Sequence, residues 1–313
     1  MSVGKPRNYL SFPLWRPEML AQLCSVALEA DTETNYVAKL IDERSLQLDA
    51  ANSALLNWPW PLRVQTLGQF RVSRDGEPIS FTGKAQRRPL DLLKVVIAYG
   101  GRDVSEERVV EALWPRIDGD SAHRSFATTL HRLRKLLGEE KALQLSDGKL
   151  TLDGRYIWVD TWAFDQIVSR INSLLHSIQN ESPIDNEAVT QLSAQLLERY
   201  AGPFLESEAE QGWALQLRDR LRQRFVRAVA DMARHWREAG EAEHAIDLLE
   251  QALERDYANE SSYRNLMECY AALGRHAEAA DTYSRCRKML KANLDVEPSP
   301  ETTALYEKLV HIS

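Results

Sequence analysis

Asp120-Ser-Ala-His-Arg-Ser-Phe-Ala-Thr-Thr-Leu-His-Arg-Leu-Arg-Lys-Leu-Leu137 is the most informative stretch of this chain. At about 100° per residue, Phe126, Leu130, Leu133 and Leu137 fall on one face of a helix. The opposite face collects Ser121, Arg124, Ser125, Thr128, Arg132 and Lys135, with His131 at its edge. These residue types reach base edges and phosphates: Arg bidentate to guanine, Thr to a thymine methyl, Lys to phosphate. A major groove about 12 Å wide admits one such helix. An ordinary solvated helix face has the same composition, so the neighbouring segments matter.

Working outward, Val64 to Val72 reads as a strand, Asp75-Gly76 as a hairpin turn, and Pro78 to Phe81 as the return. Three helices follow, at about 85–99, 105–114 and 120–138. Gly100-Gly101 stops the first, Ser105 is placed to N-cap the second, Trp114-Pro115 ends it, and Gly138 closes the third. Leu143 to Ser146 and Lys149 to Leu152 alternate around Asp147-Gly148, a second hairpin. Three helices and then a hairpin is the order of a winged helix-turn-helix. The hairpin tip puts Lys149 where a wing touches the adjacent minor groove or backbone. The N-terminus of the second helix offers amides to a phosphate. Arg87 and Arg88, at the start of the first helix, fit a DNA contact and a solubilising role equally well.

Residues 161–313 read as helix throughout, at roughly 161–178, 186–200, 213–239, 242–255, 259–272, 276–291 and 301–311. Gly240-Glu-Ala-Glu-His-Ala-Ile-Asp-Leu-Leu aligns with Gly274-Arg-His-Ala-Glu-Ala-Ala-Asp-Thr-Tyr, 34 residues on, the tetratricopeptide (TPR) period. Ala245 matches Ala279 and Asp247 matches Asp281. At the other end, Pro17 to Ala30 has apolar residues at 19, 20, 23, 26, 27 and 28, and Asn35 to Arg44 continues the pattern. Trp58-Pro59-Trp60-Pro61 is a stiff linker. The expected architecture is mostly α with small β-sheets: a helical N-terminal segment at 1–58, a winged-helix DNA-binding domain at 62–160, and a TPR-like all-α domain at 161–313.

With 313 residues, 44% apolar and 27% charged, the chain is neither fibrous nor broadly disordered. The net charge is −7, yet 61–160 holds 17 basic against 14 acidic residues, leaving 22 against 32 elsewhere. A basic segment in an acidic protein points to an anionic partner. Three dispersed cysteines, Cys24, Cys269 and Cys286, offer neither a disulfide framework nor a zinc site. Met1 to Leu10 lacks a signal-peptide apolar core and no run is long enough to span a bilayer, so the expectation is a soluble cytoplasmic protein with no membrane contact. Gly76 and Gly83-Lys84 do not make a Walker loop, and no dinucleotide, hydrolase or zinc-protease motif occurs. His123 and His131 lie two turns apart, which is a poor metal pair, and Trp114, Trp158, Trp162, Trp213 and Trp236 sit on apolar faces as core. The chain reads as a non-enzyme without cofactor or metal.

The segment resembles an OmpR/PhoB-type winged helix as it occurs in SARP-like transcriptional regulators with a bacterial transcriptional activator domain (BTAD). The resemblance rests on Leu67-Gly68-x-Phe70-x-Val72, Glu111-Ala-Leu-Trp-Pro115, Leu130-x-Arg132-Leu-Arg134-Lys-Leu-Leu137 and Val159-Asp160-x-x-x-Phe164. It continues through Tyr200-Ala-Gly-Pro-Phe-Leu205, Trp213 with Arg218 and Leu221, and Val296-Glu-Pro-Ser-Pro-Glu-Thr302. Tyr36-Val-x-x-Leu-Ile41 is similar to the tail of the helical sensor array in larger MalT-like regulators. The resemblance implies a sequence-specific activator that binds promoter direct repeats in double-stranded DNA as a homodimer and contacts RNA polymerase. The site residues are then Arg124, Ser125, Thr128, His131, Arg132, Lys135 and Lys149. Ser125, Thr128 and Thr129 make the middle of this helix less basic than is usual in the family. A TPR-type protein-interaction module, whose winged helix mediates protein contacts, is the alternative.

Overall fold

The computed structural model describes residues 16–48, 57–81, 84–176, 185–208 and 211–311. The expectations for Met1 to Leu10, for 49–56 and for 177–178 lie outside the described residues. The chain forms two compact units, Met1–Gln166 with Ser207–Leu217, and Ile167–Glu206 with Arg218–Ser313.

The first unit begins with α1 (Pro17–Glu29) and α2 (Thr34–Glu43). The apolar stripe expected at 19, 20, 23, 26, 27 and 28 is rotated. Leu20, Ala21, Cys24, Ala27 and Leu28 are buried, whereas Met19, Leu23 and Val26 are 55%, 58% and 61% exposed. The apolar residues of α1 cover more than one face, and the packing of α2 selects which of them goes inside. Leu46, Trp58 and Trp60 are also buried. Gln47 Nε2 donates to the Tyr156 hydroxyl at 3.3 Å, tying the end of this segment to the winged-helix portion.

Next come β1 (Leu62–Gln65), β2 (Arg71–Arg74) and β3 (Glu77–Pro78). The single strand expected from 64 to 72 is two antiparallel strands, paired Leu62 to Arg74 and Val64 to Val72. Gly68, at φ 84°, makes the turn between them. The helices are α3 (Lys84–Ala98), α4 (Glu106–Leu113) and α5 (Gly119–Leu137). A two-residue strand β4 (Val104–Ser105) precedes α4, and β5 (Leu143–Ser146), β6 (Lys149–Leu152) and β7 (Ile157–Val159) follow α5. The four-stranded sheet has the order β3-β2-β1-β7, with β7 parallel to β1, and the wing sheet has the order β4-β6-β5. α3 packs against α5 and α4. Leu92, Leu93, Val109, Phe126, Leu133, Leu150 and Trp158 form the core, each at most 1% exposed. Ser105 precedes α4 as expected, but its hydroxyl makes no capping bond, and its backbone pairs with Lys149 in the wing.

Two further helices are α6 (Asp160–His176) and α8 (Gly212–Glu238). Residues 207–217 join the first unit partly through Glu208. Its carboxylate pairs with Lys94, which is 8% exposed and lies 4.4 Å over the Phe70 ring.

The second unit adds α7 (Asn186–Arg199), α9 (Ala242–Arg255), α10 (Glu260–Ala272), α11 (His276–Leu294) and α12 (Pro300–His311). The 34-residue repeat has a physical meaning here. Gly240 and Gly274 each follow a helix, and Ala245 and Ala279 are 0% and 1% exposed one turn into the next. Small side chains let successive helices close together, and α10 packs closely on both α9 and α11. The other motifs are clamps. Arg218 donates from Nε to the Phe204 carbonyl and from Nη2 to the Leu205 carbonyl, both at 2.8 Å, and so holds Leu205 at φ 47°. Tyr200 stacks on Phe225 with ring centroids 4.0 Å apart. The Glu260 carboxylate accepts from Ser299 N at 2.8 Å and Thr302 Oγ1 at 2.5 Å, fastening the start of α12.

Asp160 is the most consequential polar residue of the first unit. It ends β7, begins α6 and is 4% exposed. Its Oδ2 accepts from Thr66 N at 2.5 Å and Leu67 N at 2.8 Å, and its Oδ1 accepts from Thr66 Oγ1 at 2.7 Å. Burial pushes its pKa up, against the pull of these donors. An acid with a raised folded-state pKa contributes stability below its unfolded value, and that contribution is lost as pH rises through the folded value. Asp160→Ala should cost about 2–5 kcal/mol in urea melts, because two buried amides lose their acceptor. Asp160→Asn should cost far less, since its carbonyl can face both amides while its NH₂ donates to Thr66 Oγ1. The deficit of Asp160→Asn relative to the natural protein should shrink as pH rises from acid to neutral. A similar loss for both variants at all pH values refutes this role.

Candidate nucleic-acid interface

α5 has two distinct sides. Ala122, Phe126, Thr129, Leu130, Leu133 and Leu137 are buried, and Arg124, Thr128, His131, Arg132 and Lys135 are exposed. The expected site residues on α5 therefore share one open face, except that Ser125 is only half-exposed. Arg134 and Lys135 add positive charge to the last turn, which suits the negative end of a helix dipole. Asp120 is the acidic residue of the first turn.

The hydroxyl groups in the middle of the helix are already engaged. Ser125 Oγ donates to the Ser121 carbonyl at 2.8 Å, Thr128 Oγ1 to the Arg124 carbonyl at 2.9 Å, and Thr129 Oγ1 to the Ser125 carbonyl at 2.7 Å. With its proton committed, Thr128 presents a methyl group and oxygen lone pairs to whatever meets this face. Arg124 Nη2 donates to Ser121 Oγ at 3.2 Å, an exposed contact that a stronger acceptor can displace.

Lys149 is exposed on the wing, beside the tight turn at Asp147 and Gly148, which have φ values of 51° and 69°. Such a turn matches the twist of the two strands it joins. The wing tip is tied to α4, since Glu106 N donates to the Gly148 carbonyl at 2.8 Å. That bond uses one free amide of the α4 N-terminus, and Glu106 and Glu107 place two carboxylates in its first turn. The phosphate site expected at this helix end is therefore disfavoured by both charge and occupancy. Glu106 also meets His123 Nδ1 at 2.7 Å, linking α4 to α5. Arg87 and Arg88 are exposed near the start of α3, and Arg88 Nη1 donates to the Leu113 carbonyl at 3.2 Å.

Two arginines have structural partners that sequence pattern does not disclose. Arg134 lies in the basic run of α5 but is half-buried, with Nη2 and Nε donating to the Leu143 carbonyl at 2.9 and 3.2 Å. Arg74, 62 residues before Leu136, donates to the α5 C-terminus. Spacing along a helix identifies faces, but not bonds to a distant strand.

Among the described residues, no group of three or more His, Cys, Asp or Glu side chains could hold a metal, and no helix is long and apolar enough to cross a membrane. Cys24, Cys269 and Cys286 are buried and free, and burial pushes each thiol up to about 11.

Comparison with known proteins gives a consistent result. Residues 159–310 match the family described as the bacterial transcriptional activator domain. The regulatory protein AfsR of Streptomyces griseus is 25% identical over 252 residues, covering 80% of this chain and 24% of that protein. AfsR of Streptomyces coelicolor is 25% identical over 260 residues, with the same coverage of each chain. The chain thus spans about a quarter of the length of these curated relatives. Mycobacterium tuberculosis EmbR, solved in complex with a low affinity phosphopeptide, superposes with a TM-score of 0.57. It is 20% identical, covering 81% of this chain and 66% of the other, a likeness of fold. The resemblance to SARP-like transcriptional regulators holds, as does the fold class of small sheets with a helical domain. Over residues 159–310 the chain is similar to the bacterial transcriptional activator domain.

The two sides of α5 should separate in a stability measurement. Leu133→Ala, at a position 0% exposed, should cost about 2–5 kcal/mol in denaturant melts. Arg132→Ala and Lys135→Ala should each stay within about 0.5 kcal/mol of the natural protein. A large loss on removing either cation would show that the open face is a packing surface.

Proposed function

We propose that this protein is a sequence-specific DNA-binding transcriptional activator acting in the cytoplasm, with α5 in the major groove and the wing against the adjacent backbone or minor groove. The observation that carries this reading is the continuous exposed face of Arg124, Thr128, His131, Arg132 and Lys135 opposite a fully buried apolar face. Arg132 and Thr128 take base contacts, the guanidinium to a guanine and the methyl to a thymine. Arg124, Lys135 and Lys149 take phosphates, with Ser125 and His131 flanking. The overall charge of −7 does not oppose this, because association depends on the local face within a screening length of about 8–10 Å.

The helical half serves self-association on promoter direct repeats and contact with RNA polymerase. Its support is the family match over 159–310 together with paired helices of TPR-like period, which form concave protein-binding surfaces. The competing reading is a protein-interaction module whose winged helix touches protein. It draws on the engaged hydroxyls of Ser125 and Thr128, which leave the centre of α5 with few free donors.

Selection from a random DNA pool, followed by titration over a range of salt, separates the two. Three phosphate contacts per chain should give a slope of about −3 in log K against log salt. Arg132→Ala should cost about 1–3 kcal/mol on the selected site and much less on scrambled duplex. Lys135→Ala should weaken both alike and reduce the slope by about one. Failure of the full chain to enrich any sequence, or selectivity unaltered in Arg132→Ala, removes α5 from the major groove.

A further inference from the structure

α5 is held at its C-terminal end by two side chains that are not on its open face. Arg74, the last residue of β2, donates from Nε to the Leu137 carbonyl at 2.8 Å and from Nη2 to the Leu136 carbonyl at 2.9 Å. Last-turn carbonyls have no partner within their own helix. A guanidinium at this end also meets the negative pole of the helix dipole. The fork is planar and grips two successive carbonyls, so it opposes both sliding of the helix along its axis and rotation about it. The backbone of Arg74 is itself fixed, paired with Leu62 on one side and Glu77 on the other.

Gly138 makes room for this grip. A Cβ placed there would lie 2.6 Å from Arg74 Cζ and 2.7 and 2.8 Å from its two terminal nitrogens. Gly138 is also at φ 71°, a conformation that side chains resist. One turn earlier Arg134 donates to the Leu143 carbonyl on β5 of the wing. The N-terminal end is less constrained. Asp118 makes no side-chain cap, and the His123–Glu106 contact there is half-exposed.

We infer that Arg74, seated against Gly138, is the positioning residue for sequence readout: it sets where the open face of α5 lies relative to the four-stranded sheet. The inference rests on the DNA reading proposed above. Base-edge contacts demand placement within about 0.5 Å, whereas phosphate contacts position a protein without discriminating sequence. Loosening the grip should therefore lower discrimination and leave non-specific affinity in place. Arg74 differs in this from a phosphate-binding arginine, whose loss lowers both affinities and the salt slope together.

The test uses the full chain and four variants: Arg74→Ala, Arg74→Lys, Gly138→Ala and Arg134→Lys. Each is titrated with the pool-selected duplex and a scrambled duplex at several salt concentrations, with circular dichroism and a thermal melt recorded in parallel. Arg74→Ala and Gly138→Ala should lose about tenfold on the selected duplex and less than about twofold on the scrambled one, with the salt slope unchanged. Arg74→Lys, which keeps the charge but cannot fork, should fall between them and the natural protein. Arg134→Lys probes the wing-side grip and should lose less than Arg74→Ala. Equal losses on both duplexes, tracking the melting temperature, assign Arg74 to stability alone and overturn the inference. A salt slope smaller by about one unit makes it a phosphate ligand and overturns it equally. If the natural chain does not discriminate between the duplexes at all, the DNA reading itself fails. If it discriminates and the Arg74 variants discriminate as well, only the positioning role fails.

Discussion

A single buried carboxylate holds the first unit in register. Asp160 sits where the last strand becomes the next helix, and it receives three donors from the Thr66–Leu67 turn 93 to 94 residues earlier. Without an acceptor there, two backbone amides are left inside an apolar core, at a cost of about 1–3 kcal/mol each. The bond network also decides which strand can close the sheet. It brings β7 alongside β1 in parallel, Val64 opposite Val159, and so completes the four-stranded layer. Thr66, in which backbone and hydroxyl both donate, is 0% exposed, and its role uses a side-chain hydroxyl at a turn that composition alone makes unremarkable.

The motifs that carry the family resemblance are largely scaffold. Arg218 with the Phe204–Leu205 turn, Glu260 with Ser299 and Thr302, and Asp160 with Thr66 are all polar side chains that satisfy backbone or hydroxyl groups at places where the chain changes direction. Such pairs need particular residue types at particular distances along the chain. The exposed face of α5 has no such internal requirement. Its exposed members are not fixed by packing, and its centre is occupied by Ser125 and Thr128 rather than further cations.

How much of this was legible depended on whether the deciding interaction is local. The wing turn at Asp147-Gly148 was readable because the left-handed backbone it needs is written into those two residues. The ends of α3, α4 and α5 were readable for the same kind of reason. The division of β1 from β2 was not, since Leu67-Gly68-Gln69-Phe70 carries the alternation across the turn without interruption. β7 was missed because Ile157, Trp158 and Val159 are all buried, so a strand covered on both faces shows no alternation. α1 was placed correctly but turned wrongly, because its apolar residues fit two rotations and tertiary packing, including that of α2, distinguishes them. On α5 the division of faces followed from periodicity. The structural work of Arg134 and Arg74 did not, since their acceptors lie on other elements.

The buried thiols have a practical consequence. A thiol reacts as its anion, and burial, by pushing each of these thiols up, disfavours that anion at neutral pH. Cys24, Cys269 and Cys286 are moreover almost wholly enclosed, so alkylating and spin-labelling reagents have little to attack in the folded chain. The natural sequence is thus already a quiet background for chemical tagging. A cysteine introduced at an exposed position such as Lys149 would outcompete all three native ones, so fluorophores or cross-linkers can be installed on the wing without first stripping the protein of its own sulfur.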